Sequence, residues 1–570
     1  MDAGKRLINE IFNGNKRLEI PFFQRSYVWG EEQWERFLED MYYVCETEKT
    51  YFLGSLILKQ QSTNSAEKVG DRRIVIDGQQ RLTTLNIFLK VLCLKTGENS
   101  IFEQMFKLLF NKEIALIHNH NDREAFEKII NMDQLVQIDN KDSISLCYSY
   151  FSNNMDISKL NLSIILSKIL FVGIDIDENE DEQQIFDTIN SLGVKLTTAE
   201  LLKNYFFNKD NIAMYNSYWK DLFEADNEVI AYWDTEVTTG RIKRTFIDLF
   251  LFSYLQIKIQ TKNLNIKTED KLEFSKVEHL FQSYKKFITN YLNNDKESVL
   301  KELKEYAVLY KENFDHKIIE ENLSHESGID RINALIYGLD NSTLIPYILF
   351  ILKRNQNINQ RNELFEYLET YIMRRIIVKA TNKNYNQLFT DRLILNDIKN
   401  KADFANYINT QADKINYMPD DNELFEAFNN NIINNKAAAG IIYFIESKIR
   451  NRNLHSTNLL GLNKYSLEHL IPKKWRNNWQ KLSNEDDNNK RDRKLLTLGN
   501  LAIITQNLNA KIRDSDWNKK KNGTNNNGLN DYTRDLETIT PYLKLSEWNE
   551  KEIEKRAIDL YNFAKDLWKI

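Results

Sequence analysis

Between Arg72 and Leu92 the chain changes its hydrophobic period once, at Asp77-Gly78, and that change commits this part of it to a mixed α and β fold. Residues 72–77, RRIVID, are an apolar run of strand length. Residues 79–92, QQRLTTLNIFLKVL, place Leu82, Leu85, Phe88 and Leu89 at helical spacing. Asp-Gly is a turn signal, so strand, tight turn and helix start follow one another without a linker. Such a junction presents free backbone N–H groups at the positive end of a helix, which favours an anion such as phosphate. Arg81 adds a bidentate phosphate contact and Asp77 a group to position a metal ion or water. The chain has no G-x-x-x-x-G-K-[ST] segment, so a nucleotide site here is not of the P-loop kind.

Two further strands are expected in this region, at 51–58 (YFLGSLIL) and at Ile169 to Ile176. The acidic stretch Asp175 to Glu182 lacks the glycine and final glutamate of a calcium loop and reads as a solvated helix N-terminus. Upstream, IPFFQRSYVW (20–29) carries a second Gln-Arg pair, Gln24-Arg25. Downstream, 185–207 holds a turn at Ser191 to Gly193, a capping threonine, and the polar residues Asn190, Lys203 and Asn204 among apolar ones. Singly, each has a structural explanation. Arg81 can pair with an acid, Trp29 can be core, and Asn190 can cap a helix.

The chain is poor in breakers, with 17 glycines and 5 prolines in 570 residues, which predicts a mainly helical protein. Lys301 to Glu312 and Glu363 to Val378 are typical of the middle, and no fixed repeat is visible. We expect three segments: a nucleotide-binding α+β domain over 1–210, a helical scaffold or sensor arm over 211–435, and a C-terminal domain over 436–570. Cys45, Cys93 and Cys147 form neither a metal pair nor a disulfide framework, which fits a reducing cytoplasm. MDAGKRLINEIF lacks the apolar core of a signal peptide. The most apolar stretch, Ala334 to Leu352, is interrupted by Asp340 and Asn341, so no membrane span is expected.

The last segment changes character at Tyr465. YSLEHLIPKKW (465–475) reads as a short strand carrying Glu468-His469 and stopped by Pro472. LLTLGNLAIITQNLNAKIRDSDWNKKK follows, with a turn at Gly499 before Asn500, and Asn509 nine residues on. Between residues 464 and 530 there are 14 Lys and Arg against 7 Asp and Glu, although the whole chain carries −5. A basic block is a plausible phosphate surface, but on charge alone a solvated face is the better reading. Phosphodiester hydrolysis needs a base to activate water and a cation to neutralise developing charge. A neutral histidine suits the first role; carboxylate and amide oxygens suit a hard cation, magnesium or manganese. His469, Glu468 and Asn509 supply these groups, with Lys511, Arg513, Lys519, Lys520 and Lys521 available for flanking phosphates. The competing reading is a pair of capping asparagines beside a buried, hydrogen-bonded histidine. A second pair, Glu278-His279, sits in a helical pattern and reads as surface.

The arrangement H-x-x-P, G-N-L, N and a basic tail resembles the HNH, or ββα-metal, nucleases. The resemblance implies His469 as general base, Asn500 as the asparagine ordering the loop, and Asn509 with Glu468 as ligands of one metal ion. Many such nucleases have histidine at the position of Asn509, a departure that bears on metal preference more than on activity. The N-terminal segments I-P-x-F-Q-R-x-Y-x-W, F-L-G-S, D-G-Q-Q-R-L-T-T and N-x-x-G-x-x-L resemble, in this order, the N-terminal domain of GmrSD-type restriction enzymes and their phosphorothioate-sensing relatives. Arg374-Arg375 in the helical part is also like that family. The resemblance implies a ParB and sulfiredoxin-like α+β domain with a nucleoside triphosphate (ATP, GTP or other) near Gln24, Arg25, Asp77, Gly78, Gln79, Gln80 and Arg81. It implies a modification-dependent, type IV, antiviral DNA endonuclease with NTPase activity, and DNA, in particular modified phage DNA, as partner. A nucleotide-responsive DNA sensor without nuclease activity and an NTPase toxin or regulator acting on RNA are the alternatives. The sequence leaves room for a homo-oligomer and identifies neither the DNA modification nor the nucleotide.

Overall fold

The computed structural model describes residues 2–21, 24, 26–63, 70–177, 197–207, 209–239, 242–410, 414–450, 458–524, 527–533 and 536–570. The chain is mostly helical, and it divides into two compact units, Met1–Trp219 and Lys220–Ile570. A mixed six-stranded sheet lies in the first unit. Its strands are β1 (Asp2–Leu7), β2 (Lys16–Glu19), β3 (Tyr51–Gln61), β4 (Asp71–Asp77), β5 (Leu116–Ile117) and β6 (Ile169–Ile176), in the order β1-β6-β3-β4-β2-β5. β3 pairs antiparallel with β4 and parallel with β6, so the F-L-G-S segment and the strand ending at Asp77 are neighbours. β1, β2 and β5 are too short or too polar to show a period of two in the sequence.

Asp175 belongs to β6 and pairs with both Arg6 and Arg73 across the sheet. It is therefore a strand residue in an ion-pair cluster and not part of a solvated helix start. Residues 178–182 of that acidic stretch, and Asn190 with the turn Ser191 to Gly193, lie outside the described residues.

The helix Gln79–Thr96 runs straight out of β4, as the change of period requires. It is not amphipathic in place. Residues on all its sides are buried, including Thr83, Thr84, Asn86 and Lys90. The polar ones are tolerated because they bond inward. Thr83 and Thr84 donate to the carbonyls of Gln79 and Gln80, Asn86 to that of Leu82, and Lys90 to Asn99 Oδ1. The ring of Phe88 packs against Phe37 and Phe151 at 5.3 and 5.4 Å between centroids. Burying one such side chain stabilises the unit by about 2–3 kcal/mol.

In the second unit the apolar stretch around 334–352 is split as expected. A π-helical turn at Ala334–Gly338 and the helix Ile345–Arg354 flank Asp340, whose φ is 57°. Among the described residues no helix is long and apolar enough to cross a membrane. The long helix Ile358–Val378 carries Arg374 and Arg375, both buried. Arg374 donates to Trp568 O at 2.6 Å, Pro419 O at 3.0 Å and Asp421 at 2.7 Å. Arg375 donates to the carbonyls of Tyr417, Thr381 and Ile415. The pair thus clamps the segment 415–421 and residue 568 onto one helix. Leaving such a buried network half-made costs about 3–5 kcal/mol.

This unit also holds the antiparallel strands β7 (Glu236–Thr239) and β8 (Ile242–Thr245), and its C-terminal part contains β9 (Tyr465–His469) and β10 (Leu501–Thr505) as an antiparallel pair. The helix Asn435–Ile449 packs on it, with Tyr443 and Tyr465 ring centroids 5.9 Å apart. The helix Glu550–Leu567 lies against the turn at Leu498–Asn500 so closely that a Cβ at Gly499 would fall 2.2 Å from Ile553 O.

Candidate functional site

In the second unit, Leu501 lies opposite His469 and Ala502 opposite Glu468. The helix Gln506–Ile512 follows β10 without a break and carries Asn509. Two antiparallel strands and a helix therefore carry Glu468, His469, Asn500 and Asn509 on adjoining elements. Neighbours in a strand point to opposite faces, and here Glu468 is buried while His469 is half-buried.

Asn500 is wholly buried and all its amide capacity is used. Its Oδ1 accepts from Ile471 N at 2.8 Å and from Trp548 Nε1 at 3.0 Å. Its Nδ2 donates to Ile471 O and Leu495 O, both at 2.9 Å. The loop leaving His469 is thereby pinned to the turn before β10. Arg556 braces the same turn from the other side, donating to Gly499 O at 2.9 Å and Leu501 O at 2.7 Å. Asn509 Nδ2 donates to Ser466 Oγ at 3.1 Å and Leu467 O at 3.2 Å. This orients the amide and leaves Oδ1 without a hydrogen bond among the described residues.

No described residue bonds either ring nitrogen of His469. Burial pushes its imidazole down to about 4, and the cations of Lys473 and Lys520 add to the effect. The ring is neutral at neutral pH and can accept a proton. The exposed pair Glu278-His279 lies in a short turn, as the helical pattern suggested for surface residues.

A hard divalent ion takes oxygen ligands, and magnesium keeps several waters beside one or two carboxylates. One carboxylate from Glu468 and one unbonded amide oxygen from Asn509 fit that requirement. Among the described residues no three His, Cys, Asp or Glu side chains converge as a closed cage. The residue whose place the sequence did not reveal is Lys520, expected at the phosphate surface. Its ammonium is wholly buried, pairs with Glu468 Oε1 and donates to His469 O at 2.7 Å. Burial pushes the carboxyl up and the ammonium down, and their mutual attraction opposes both shifts. Lys521 is buried too, donating to Leu545 O at 2.6 Å. Both are thus withdrawn from the phosphate surface expected of them, while Lys511, Arg513 and Lys519 are exposed. The signal was present as spacing: Trp517, Lys520 and Lys521 share one face of the helix Trp517–Asn522.

In the first unit, the helix Gln79–Thr96 starts after Gly78, whose φ of 101° suits glycine. Asp77 Oδ2 accepts from Ser55 Oγ at 2.9 Å and from Arg81 NH2 at 3.0 Å. Ser55, from the F-L-G-S segment, joins the group because β3 and β4 are paired. Gln79 is 6 % exposed, and among the described residues neither its Oε1 nor the buried Nε of Arg81 has a hydrogen-bond partner. Unsatisfied buried polar atoms at a helix start are a fit for an anionic ligand. Gln80 faces another way. Its Oε1 accepts from Val28 N at 2.9 Å and its Nε2 donates to Ser26 O at 3.2 Å, so it ties the 26–28 loop to the helix. Gln24 is buried and accepts from Asn204 at 3.3 Å. Thr197 caps the helix Thr198–Phe206 that carries Asn204. Arg25 lies outside the described residues.

The family model described as GmrSD restriction endonuclease, N-terminal domain, matches residues 8–207, and the one described as GmrSD restriction endonucleases, C-terminal domain, matches residues 418–563. No curated protein matches the chain.

Proposed function

Because the chain belongs to the GmrSD restriction endonuclease family, we propose that it is a nucleotide-regulated, metal-dependent DNA endonuclease of antiviral defence, acting in the cytoplasm on modified or foreign DNA. The observation that carries this reading is the strand–strand–helix unit at 465–512. Within it, Asn500 holds the loop after His469, and Asn509 is bonded back onto the strand of Glu468 and His469. That arrangement supports an HNH, ββα-metal type of site.

In the proposed reaction, water attacks the phosphorus of a DNA phosphodiester, the P–O bond to the leaving sugar breaks, and the freed sugar oxygen takes a proton from solvent water. His469 takes the proton of the attacking water at a ring nitrogen. Glu468 and Asn509 would hold a divalent ion, magnesium or manganese. When bound, that ion supplies neutralisation of the charge building on the phosphate. Asn500 keeps the loop in register, and the exposed Lys511, Arg513 and Lys519 grip flanking phosphates.

The first unit fits a ParB and sulfiredoxin-like nucleotide-binding domain. Gln79, Arg81 and the N–H groups of the helix start would receive the phosphates of a nucleoside triphosphate, with Asp77 and Ser55 fixing Arg81. Nucleotide binding and hydrolysis there would regulate cutting by the second unit. By linkage, a nucleotide that alters DNA affinity must have its own affinity altered by DNA to the same factor.

The test is plasmid nicking by the purified full-length protein with magnesium, comparing His469→Ala with wild type. The variant should bind DNA and not cut it. Cleavage at the wild-type rate would remove the assignment. Parallel assays on RNA, plain DNA and modified DNA separate the restriction reading from a non-cutting DNA sensor and from an RNA-directed enzyme.

A further inference from the structure

Lys520 is 0 % exposed, and a buried ammonium must be paired. Its two partners are the side chain of Glu468 and the backbone carbonyl of His469, the two residues to which the nuclease reading gives metal binding and proton transfer. The helix that bears it is itself fixed, through Trp517 Nε1 and Lys521 Nζ, both donating to Leu545 O at 3.1 and 2.6 Å. The ammonium is therefore built against the carboxylate and does not reach it by chance from a mobile surface side chain.

We propose that Lys520 is the resting counter-cation of Glu468, so that a divalent ion binds tightly only by displacing this ammonium, an exchange that DNA phosphates favour. This rests on the reading of Glu468 and Asn509 as the ion's ligands. The charge balance carries the argument. Paired with Lys520, Glu468 offers an incoming ion no net negative charge, and Asn509 adds none. The DNA-free site therefore attracts a divalent cation weakly. A phosphodiester entering the site brings negative charge of its own, which restores the attraction. Lys520 keeps a partner after the exchange, because its bond to His469 O at 2.7 Å does not involve the carboxylate. The ion is thus loaded together with DNA rather than before it, and Lys520 is a positioning residue that sets this order.

The test is calorimetric titration of full-length, DNA-free protein with Mn2+. Lys520→Met removes the charge, and Lys520→Gln removes it while keeping a donor for Glu468 and His469 O. Both should bind Mn2+ at least tenfold more tightly than wild type. The double variant Glu468→Gln/Lys520→Met should lose the gain. Circular dichroism establishes that each variant is folded, and if Met is not accepted the Gln variant carries the comparison. Wild type gives an independent measure: a nuclease-resistant duplex should raise its Mn2+ affinity tenfold or more. Mn2+ affinity that is unchanged or weaker in the folded Lys520 variants, or unmoved by the duplex in wild type, overturns the proposal. Glu468→Gln alone, titrated with duplex present, separates this failure from that of the parent reading. If it weakens Mn2+ binding while the Lys520 variants do not strengthen it, only the exchange is wrong. If it has no effect, the ligand assignment itself falls.

Discussion

Trp548 donates its indole N–H to Asn500 Oδ1 at 3.0 Å, so a residue 48 positions downstream completes the turn before β10. The G-N-L segment looks local in the sequence, yet its asparagine bonds Ile471, Leu495 and Trp548 together. The four bonds are what make the loop after His469 a single conformation.

Asn500→Asp should therefore abolish cleavage and lower stability by about 2–4 kcal/mol, because two carbonyls would then face a carboxylate with no donor between them. Trp548→Phe removes one donor and should cost about 1–2 kcal/mol, with cleavage reduced but present. Denaturant melting and nicking rates on the two variants check the order. Equal effects, or a stable and active Asn500→Asp protein, would show that the hub is not needed.

Gly499→Ala is expected to be as harmful as the loss of a catalytic group, although it removes none. Its added carbon would lie 2.2 Å from Ile553 O, so the turn and the helix Glu550–Leu567 must separate. Stability should fall by about 1–3 kcal/mol. Cleavage should drop with it, while nucleotide binding by the first unit stays at the wild-type level.

Arg81→Ala and Gln80→Leu should behave differently though the residues are neighbours. Arg81 is the proposed phosphate contact, and losing one charge-assisted bond costs about 1.5–3 kcal/mol, roughly tenfold to over a hundredfold in affinity. Gln80 instead holds the 26–28 loop, so its loss should speed amide exchange of Val28, whose N–H it accepts, and spare that of Tyr27, which Asp122 accepts. Calorimetric titration with nucleoside triphosphates and hydrogen exchange distinguish the two. Unchanged affinity of Arg81→Ala for every nucleotide would remove the basis for the site.

His118 gives the first unit a pH dependence. The ring is buried, its Nε2 bonded to Thr83 at 2.8 Å and its Nδ1 3.6 Å from Asp122. Burial pushes it from the ordinary 6.5 down to about 3. Between these values the unfolded chain binds a proton that the folded one refuses. Stability from this ring is complete above pH 6.5 and falls as pH drops toward 3, by up to about 1.4 kcal/mol per pH unit. His118→Gln should flatten the acid limb by that one proton. Hydrogen exchange of the 79–130 region from pH 7 to pH 4 measures it, and parallel slopes in the two proteins would contradict a neutral buried ring.

Much of this architecture was legible in the amino-acid sequence. The change of period at Asp77-Gly78 placed β4 and the helix after it. The run ending at Pro472 placed the strand of Glu468-His469, and the resemblance to ββα-metal nucleases implied the second strand and the helix that carries Asn509. Three things were hidden. The all-round burial of the helix Gln79–Thr96 could not be read, because its threonines and asparagine satisfy themselves on their own backbone. Gln80 read as a ligand residue because a glutamine that ties down a loop 52 to 54 positions upstream has no local signature. Lys520 was hidden by its neighbours, since a run of three lysines looks like a solvated face until tertiary packing decides which of them turns inward.

The bracing of the Gly499 turn by Trp548 and Arg556 also sets an order in time. A chain is made and folds from its N-terminal end. Glu468, His469, Asn500 and Asn509 leave the ribosome well before Arg556, whose bond to Gly499 spans 57 positions. An unfinished polypeptide carries every residue of the motif and none of the brace. On the proposed reading, the cutting site is completed only after the helix at 550–567 has been synthesised, and nascent chains on the ribosome would be unarmed.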